Sequence, residues 1–383
     1  MKIRAILVNC SVLLVTAAIG LLLCEWGARL ILNPSDVLSV EIIKDPILGG
    51  TPSPHAKSDF DAWGFRNREV PKTSDIVALG DSHTYGNTAR MIESWPYVAG
   101  SLTGRQVYNM GMGGYGPNQY FYLLQTKALS LKPRTIICGL YMGDDFENAF
   151  SITYGLDHWA YLRQLPPQNV DSYIWEIPTK DAWHKGIRLW LSRHSVVYQL
   201  VVHTSLGDRV KGGVQIRKAV QDYPGVATSL ILPEKNILEA FRPQDVLNGL
   251  NQENPVIREG MRITFEMLKQ MNDIAHQNNI QFVVVVIPTK PMVFSDYLEH
   301  NSEIPLDDVI DRLYVNERLA RAQTFKFMTE ANISYVDALP ALQKSVGQGL
   351  YASSAADMHP NKNGYRVIGE VVAEALKQGA GKK

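Results

Sequence analysis

At 383 residues, 45% hydrophobic and 20% charged, the chain is long enough to bury its own core as one large domain or two small ones. Its 38 basic and 38 acidic residues cancel, so the one-signed field that a nucleic-acid binder needs is absent. No run of like charge suggests a solvated tail, and nothing in the composition names a protein partner.

The chain begins with Lys2 and Arg4 and then runs from Ala5 to Cys24, AILVNCSVLLVTAAIGLLLC, 20 residues without a charge. As a helix rising about 1.5 Å per residue, this segment covers the roughly 30 Å core of a bilayer. The positive-inside rule keeps residues 1–4 as a cytoplasmic tail, with 5–24 as a transmembrane signal anchor. The remainder is expected on the periplasmic or extracellular side. A cleaved signal peptide is the rival, but its apolar core usually spans about 7–15 residues and ends at small-x-small. Leu21-Leu22-Leu23-Cys24 fits neither that ending nor a lipid-attachment site, which wants a small residue before the cysteine. Cys10 and Cys24 fall in this segment, leaving Cys138 without a disulfide partner in the exported part. Lying in TIICGLYM, Cys138 reads as a buried small side chain.

Residues 25–74 form a connector, rich in Pro, Asp and Gly from about Asn33, and its DAWGFRNREV piece is expected to pack at the domain entrance. From residue 75 to 383 short apolar runs alternate with helical patterns. SDIVALG, RQVYNM and TIICGLYM read as strands; MIESWPYVAGSL and NQYFYLLQTKAL read as the helices between them. EGMRITFEMLKQMNDIAHQNN puts Met261, Phe265, Leu268 and Met271 on one helical face. FVVVVIP is a strand of the kind buried on both sides in a parallel sheet. A helix around Asp307 to Asn332, the strand ISYVDAL and the helix NGYRVIGEVVAEALKQ close the chain. The alternation predicts a doubly wound α/β sandwich. An insertion at about 150–254 interrupts it, holding one amphipathic helix, WHKGIRLWLSRHSVVYQLVVH, and short segments without a clear period. It reads as a packed helix with a solvated side, and otherwise as a lid, a groove wall or an interaction surface.

Ligands of open parallel sheets sit beyond the carboxyl ends of the strands. Polar clusters follow the apolar runs here: Gly80-Asp81-Ser82-His83-Thr84-Tyr85-Gly86, then Asn109 to Gly116 (NMGMGGYG), then Gly143-Asp144-Asp145. Asp357-Met358-His359-Pro360-Asn361 stands before the last helix. These are the parts of an acyl-transfer site. Ser82 needs a base, His359 can supply it, and Asp357 can hold the imidazole in the right tautomer. Glycine amides and the Ser82 N–H can meet an oxyanion. Taken singly, each has an ordinary explanation: Ser82 caps a helix, Asp357 closes a turn, His359 packs before Pro360. Asp81 and His83 could instead begin a metal site with Asp144 or Asp145, a two-metal phosphoesterase, although the further ligands such a site needs are missing. Ser82 does not lie in G-x-S-x-G, and no G-K-[S/T] loop is present.

These blocks, in this order, resemble those of the SGNH/GDSL hydrolases, over roughly Asp75 to Gln125, the strand ending at Asp145, and the final strand and helix. The resemblance implies a flavodoxin-like α/β sandwich that hydrolyses or transfers esters without a metal or other cofactor. It implies Ser82 as nucleophile, His359 as base and Asp357 as its orienting partner. Gly114, Asp144, Asp145 and His83 fall in the oxyanion and substrate-binding set. The anchor and the GFR connector also look like membrane-anchored members. Two positions depart from the pattern. Asp144 stands where the family has an Asn donor; an ionised carboxylate cannot donate, so Asp144 is protonated, or another donor substitutes, or activity is weak or lost. Ala356 stands where the family often has Asp, with Asp357 two residues before the histidine. His83 after the serine resembles SGNH domains of polysaccharide O-acetyltransferases. The expectation is a membrane-anchored serine esterase acting on O-acyl, chiefly O-acetyl, esters of an envelope or exported polysaccharide or of lipid. The alternatives are an O-acetyltransferase with the same site, a noncatalytic binding module, and the metal-dependent phosphoesterase. Lys290 in IPTKP follows another strand, where it would reach either the pocket or the surface.

Overall fold

A computed structural model of the protein describes residues 2–53, 60–166, 183–203, 228–232, 237–300, 308–351 and 357–379. The first part of the chain holds α1 (Lys2–Ile31), β1 (Ile42–Asp45), β2 (Gly49–Pro52), β3 (Ile76–Leu79), α2 (Ser82–Tyr85), α3 (Trp95–Thr103), β4 (Val107–Asn109), α4 (Pro117–Thr126) and β5 (Thr135–Tyr141). The middle holds α5 (Asp145–Gly155), α6 (Trp183–His194), α7 (Val196–His203), β6 (Thr228–Leu232), β7 (Ile237–Phe241) and α8 (Pro243–Leu250). Then follow α9 (Pro255–Gln277), β8 (Gln281–Ile287), α10 (Lys290–Val293), α11 (Ser295–His300), α12 (Asp308–Glu330), β9 (Ser334–Asp337), α13 (Leu339–Lys344) and α14 (Lys362–Lys377).

Five strands pair in parallel in the order β4-β3-β5-β8-β9. The chain enters at β3, steps outward to β4, and returns past β3 to β5, so the order reverses between β3 and β5. This is the doubly wound, flavodoxin-like arrangement, whose ligand crevice opens at that reversal. The central strands β3, β5 and β8 are almost wholly apolar and buried because both faces are covered. Phe282, Val284 and Val286 of β8 face one core with residues of α4 and α9; Val283, Val285 and Ile287 face the other with residues of α3 and α14. Capping sets the helix starts: Asn254 accepts from Val256 N before α9, and Asn361 accepts from Asn363 N and Gly364 N before α14.

Three segments differ from the sequence expectation. The connector contains the antiparallel β1–β2 hairpin, which was not expected, while Phe65 of its DAWGFRNREV piece, expected to pack, is 1% exposed. The single amphipathic helix of the insertion is two, α6 and α7, broken at Ser195. The Ser195 hydroxyl accepts from Tyr198 N at 3.0 Å, and the Glu25 carboxylate accepts from Val196 N and Val197 N at 2.9 and 3.0 Å. Such caps satisfy the orphan N–H groups of a new helix start, so the break is stable. The stretch without a clear period includes the β6–β7 hairpin and α8, while residues 167–182, 204–227 and 233–236 of the expected insertion lie outside the described residues.

Candidate active site

The four apolar residues of β3 are fully buried and deliver the chain to the crevice, where Asp81 starts the single turn α2. Asp81 Oδ1 accepts from His83 N at 2.9 Å and Thr84 N at 3.4 Å. Gly86 ends the turn at φ +84°, and a Cβ there would fall 2.4 Å from Ser94 Cβ, so only glycine fits. The connector holds this turn from below. Arg66, 4% exposed, donates to the carbonyls of Ala89 and Gly86 at 3.0 Å each and to that of Tyr85, with its guanidinium over the Tyr85 ring. Among the described residues the Ser82 N–H makes no hydrogen bond.

Ser82 Oγ lies 2.8 Å from His359 Nε2, and His359 Nδ1 lies 2.8 Å from Asp357 Oδ1. A carboxylate at Nδ1 calls for the proton there, which leaves the Nε2 lone pair facing the serine hydroxyl. Burial opposes charge on Asp357, but its hydrogen bond to His359, the His359 charge and the more distant Lys290 outweigh this, so its carboxyl titrates below the usual range. The loop carrying the histidine is tied down twice. Thr88 Oγ1 donates to Pro360 O at 2.6 Å, and Asn361 Nδ2 donates to Gly349 O and Tyr351 O at 2.9 and 3.0 Å. Residues 352–356, including the Ala356 position, lie outside the described residues. Asn87 was not anticipated: its Nδ2 lies 3.4 Å from His359 Nε2. In the sequence it reads as a turn residue after a helix, which it also is.

A second imidazole lies beside the first. The His83 ring stacks on Tyr141 at 3.7 Å and its centroid is 4.7 Å from that of His359. It is 2% exposed, with Nδ1 3.0 Å from Asp81 Oδ2. Burial pushes the His83 pKa below its ordinary value of 6.5 despite the Asp81 charge. Asp81 is itself buried, yet His83 keeps its carboxyl below the usual range. The two side chains are spent on each other, and among the described residues no three His, Cys, Asp or Glu side chains gather as a metal set.

The glycine segment after β4 passes alongside Ser82, where a Cβ on Gly113 would sit 3.8 Å from Ser82 Cβ. Gly114, the glycine singled out from the sequence, follows at φ +74°. Asp144 stands just before α5, half-buried, with Oδ1 enclosed and without a hydrogen-bond partner among the described residues. Burial, then the charges of Asp81 and Glu147, push its carboxyl well above the usual range, against a smaller opposing effect of Asn148. A neutral acid has an O–H to donate, which an ionised carboxylate lacks. Asp145, expected to touch substrate, is instead 0% exposed: Tyr120 OH donates to Oδ1 at 2.7 Å and Tyr141 N to Oδ2 at 2.8 Å. Both of its oxygens are taken, and it serves the wall behind the site. Nor is Lys290 a surface residue. It is 0% exposed, with Nζ 2.8 Å from Glu239 Oε2 on β7 and near the rings of Phe241 and Tyr351.

No family model matches this chain, and no curated protein matches it. Among solved structures, a protein from Desulfitobacterium hafniense DCB-2 named as lipolytic and of the G-D-S-L family is 15% identical, at TM-score 0.38 over 79% of this chain and 99% of that one. A GDSL-like lipase from Bacteroides thetaiotaomicron is 10% identical, at TM-score 0.36 over 79% and 88%. A catalytic mutant of an acetylxylan esterase from Geobacillus stearothermophilus is 10% identical, at TM-score 0.38 over 80% and 94%. Likenesses this distant assign no chemistry, which has to be read from the side chains themselves.

Proposed function

We propose that this chain is a membrane-anchored serine esterase of the SGNH/GDSL type that cleaves O-acyl esters through Ser82, His359 and Asp357. The observation that carries the reading is the continuous line of two 2.8 Å contacts, Ser82 Oγ to His359 Nε2 and His359 Nδ1 to Asp357 Oδ1. In that geometry Oγ attacks the ester carbonyl carbon as Nε2 takes its proton. The Ser82 N–H, which makes no hydrogen bond among the described residues, the glycine segment beside it and, while its raised carboxyl stays protonated, Asp144 are the donors at hand for the resulting oxyanion. The imidazolium then protonates the departing alcohol oxygen, leaving an acyl group on Ser82. Water, deprotonated by the same Nε2, attacks this acyl-enzyme; the proton returns to Oγ and the acid leaves. Asp357 keeps its negative charge throughout and stabilises the imidazolium.

The substrate class follows from position. A span with Lys2 and Arg4 on its inner side favours an outward-facing domain, within reach of an O-acetylated envelope or exported polysaccharide, or of lipid. Transfer to a sugar hydroxyl would share the acyl-enzyme and change only the acceptor. His83 offers that reading no free face, being 2% exposed and bound to Asp81, so hydrolysis stands first.

The test is labelling by a fluorophosphonate together with acetate release from an aryl acetate, using the full chain in detergent. Both signals should be present in the wild type and vanish in Ser82→Ala and His359→Ala. A wild type that neither labels nor releases acetate would leave a noncatalytic module as the better description.

A further inference from the structure

The anchor helix is longer than a bilayer core. At about 1.5 Å per residue the 30 residues of α1 extend roughly 45 Å, some 15 Å more than the hydrocarbon needs. With Ala5–Cys24 in the core, the last two turns emerge with Glu25, Trp26 and Arg29. These turns grip the insertion. Glu25 accepts from Ser195 Oγ at 2.9 Å as well as from the first N–H groups of α7, and Arg29 donates to His194 O at 2.9 Å. The joint between α6 and α7 is therefore fixed to the first helical turn beyond the span. The same end of α6 is fastened again, by Arg193 to Glu41 at 3.0 Å and by Ser39 N to Ser192 O at 3.1 Å.

So held, α6 turns an apolar stripe outward. Ile187 is 47% and Trp190 58% exposed, at helical spacing, with His194 stacked on Trp190 and exposed Arg188 alongside. The emerging end of α1 adds Trp26, Leu30 and Ile31, at 65%, 66% and 84% exposed. Exposed tryptophan with flanking cation, next to a span, is the composition of a membrane–water interface. A helix on water would gain nothing from that stripe.

We propose that α6 is a second membrane contact, an interfacial helix lying on the bilayer where α1 leaves it, with Ile187 and Trp190 among the lipid headgroups. The inference rests on reading α1 as a membrane span. Its occupant is the lipid surface: the stripe is continuous with the helix that crosses it, and Arg188 suits anionic headgroups. The consequence is orientation. A domain held by a span alone can swing, whereas a span and a surface helix fastened together hold the domain at one attitude to the membrane.

The test uses the full chain in vesicles of phosphatidylcholine and phosphatidylglycerol. A fluorophore is placed on Ile187→Cys or, separately, on Trp190→Cys, each in a chain lacking Cys10 and Cys24. Buried Cys138 stays in place. Native Cys10, labelled alone, reports the span, and Lys326→Cys at an exposed position of α12 reports water. Headgroup-depth nitroxide lipids should quench positions 187 and 190 at least about threefold more than position 326, as a helix seated roughly 5–10 Å deep requires. If Cys10 is quenched by deep nitroxide lipids but 187 and 190 behave like 326, the interfacial helix is wrong and the span stands. If Cys10 is open to iodide, the span fails and takes the inference with it. Copy-to-copy crosslinking at 187 with no lipid quenching would assign the stripe to a second chain and overturn the proposal.

Discussion

Asp81–His83 and Asp357–His359 share the same Asp-x-His spacing, the same Nδ1–carboxylate hydrogen bond and the same end of the sheet. They differ in solvent. The side chains of the first pair are 1% and 3% exposed, those of the second 33% and 23%. A general base must exchange protons with substrate and water, so only the second pair stands where it can work. Their outer nitrogens diverge accordingly: His359 Nε2 meets Ser82 Oγ at 2.8 Å, while His83 Nε2 is buried without a partner among the described residues. Equal motifs on paper thus differ in burial and in what their Nε2 atoms meet, which on the proposed reading makes the second a working pair and the first a scaffold pair. Asp81 also caps the nucleophile turn, so the scaffold pair sets the position from which Ser82 faces the working one.

The sharpest way to break the comparison is to remove each histidine in turn. Ser82→Ala and His359→Ala should each lower ester hydrolysis by about 10⁴-fold or more, and Asp357→Asn by about 10²- to 10⁴-fold. The readout is kcat/KM on an aryl acetate. His83→Phe should cost kcat/KM far less than His359→Ala, because the replacement keeps the stack on Tyr141, although it leaves the buried Asp81 Oδ2 without its imidazole partner and lowers stability. A loss at His83 as large as that at His359 would show that the pairs do not divide in this way. Next in size is a stability effect. Lys290→Met would leave Glu239 buried and unpaired, costing about 3–5 kcal/mol in a urea titration, and Glu239→Met in addition should return most of it.

Much of this division could be foreseen, and the part that could not has a physical reason. Buried parallel strands announce themselves as apolar runs, and short-range motifs carried Ser82, His359 and Asp357 onto the strand ends. Burial at charged positions is set at long range. Lys290 follows a strand in a polar turn, and Glu239, brought in by a hairpin 51 residues earlier, helps its charge to be enclosed. Arg66 sits in a piece that reads as a linker, yet three carbonyls of the nucleophile loop take up its guanidinium. The break at Ser195 depends on Glu25, 170 residues away. Nor does the spacing of Asp81 and His83 separate them from Asp357 and His359; only the depth of each pair in the fold does.

The smaller effects are in pH. Burial holds the His83 pKa below 6.5 in the folded chain, so the unfolded chain binds the extra proton first on acidification. Stability from His83 is therefore full above its ordinary value and is lost as pH falls through the lowered one. The fall in Tm between about pH 7.5 and about pH 5 should be shallower in His83→Phe than in the wild type. Asp144 runs in the opposite sense. Its carboxyl is raised well above 3.8 by burial, Asp81 and Glu147, so the neutral acid persists into conditions where an ordinary carboxyl has ionised. If its O–H steadies the oxyanion, hydrolysis declines as pH rises through that raised value, and Asp144→Asn, a permanent donor of similar size, removes the decline. Below that raised value the variant should remain within about threefold of the wild type, and the difference should widen as pH rises through it. Parallel profiles for the two proteins would mean that the Ser82 and glycine amides carry the oxyanion alone. Asp144 would then belong, like Asp145 beside it, to the wall of the site.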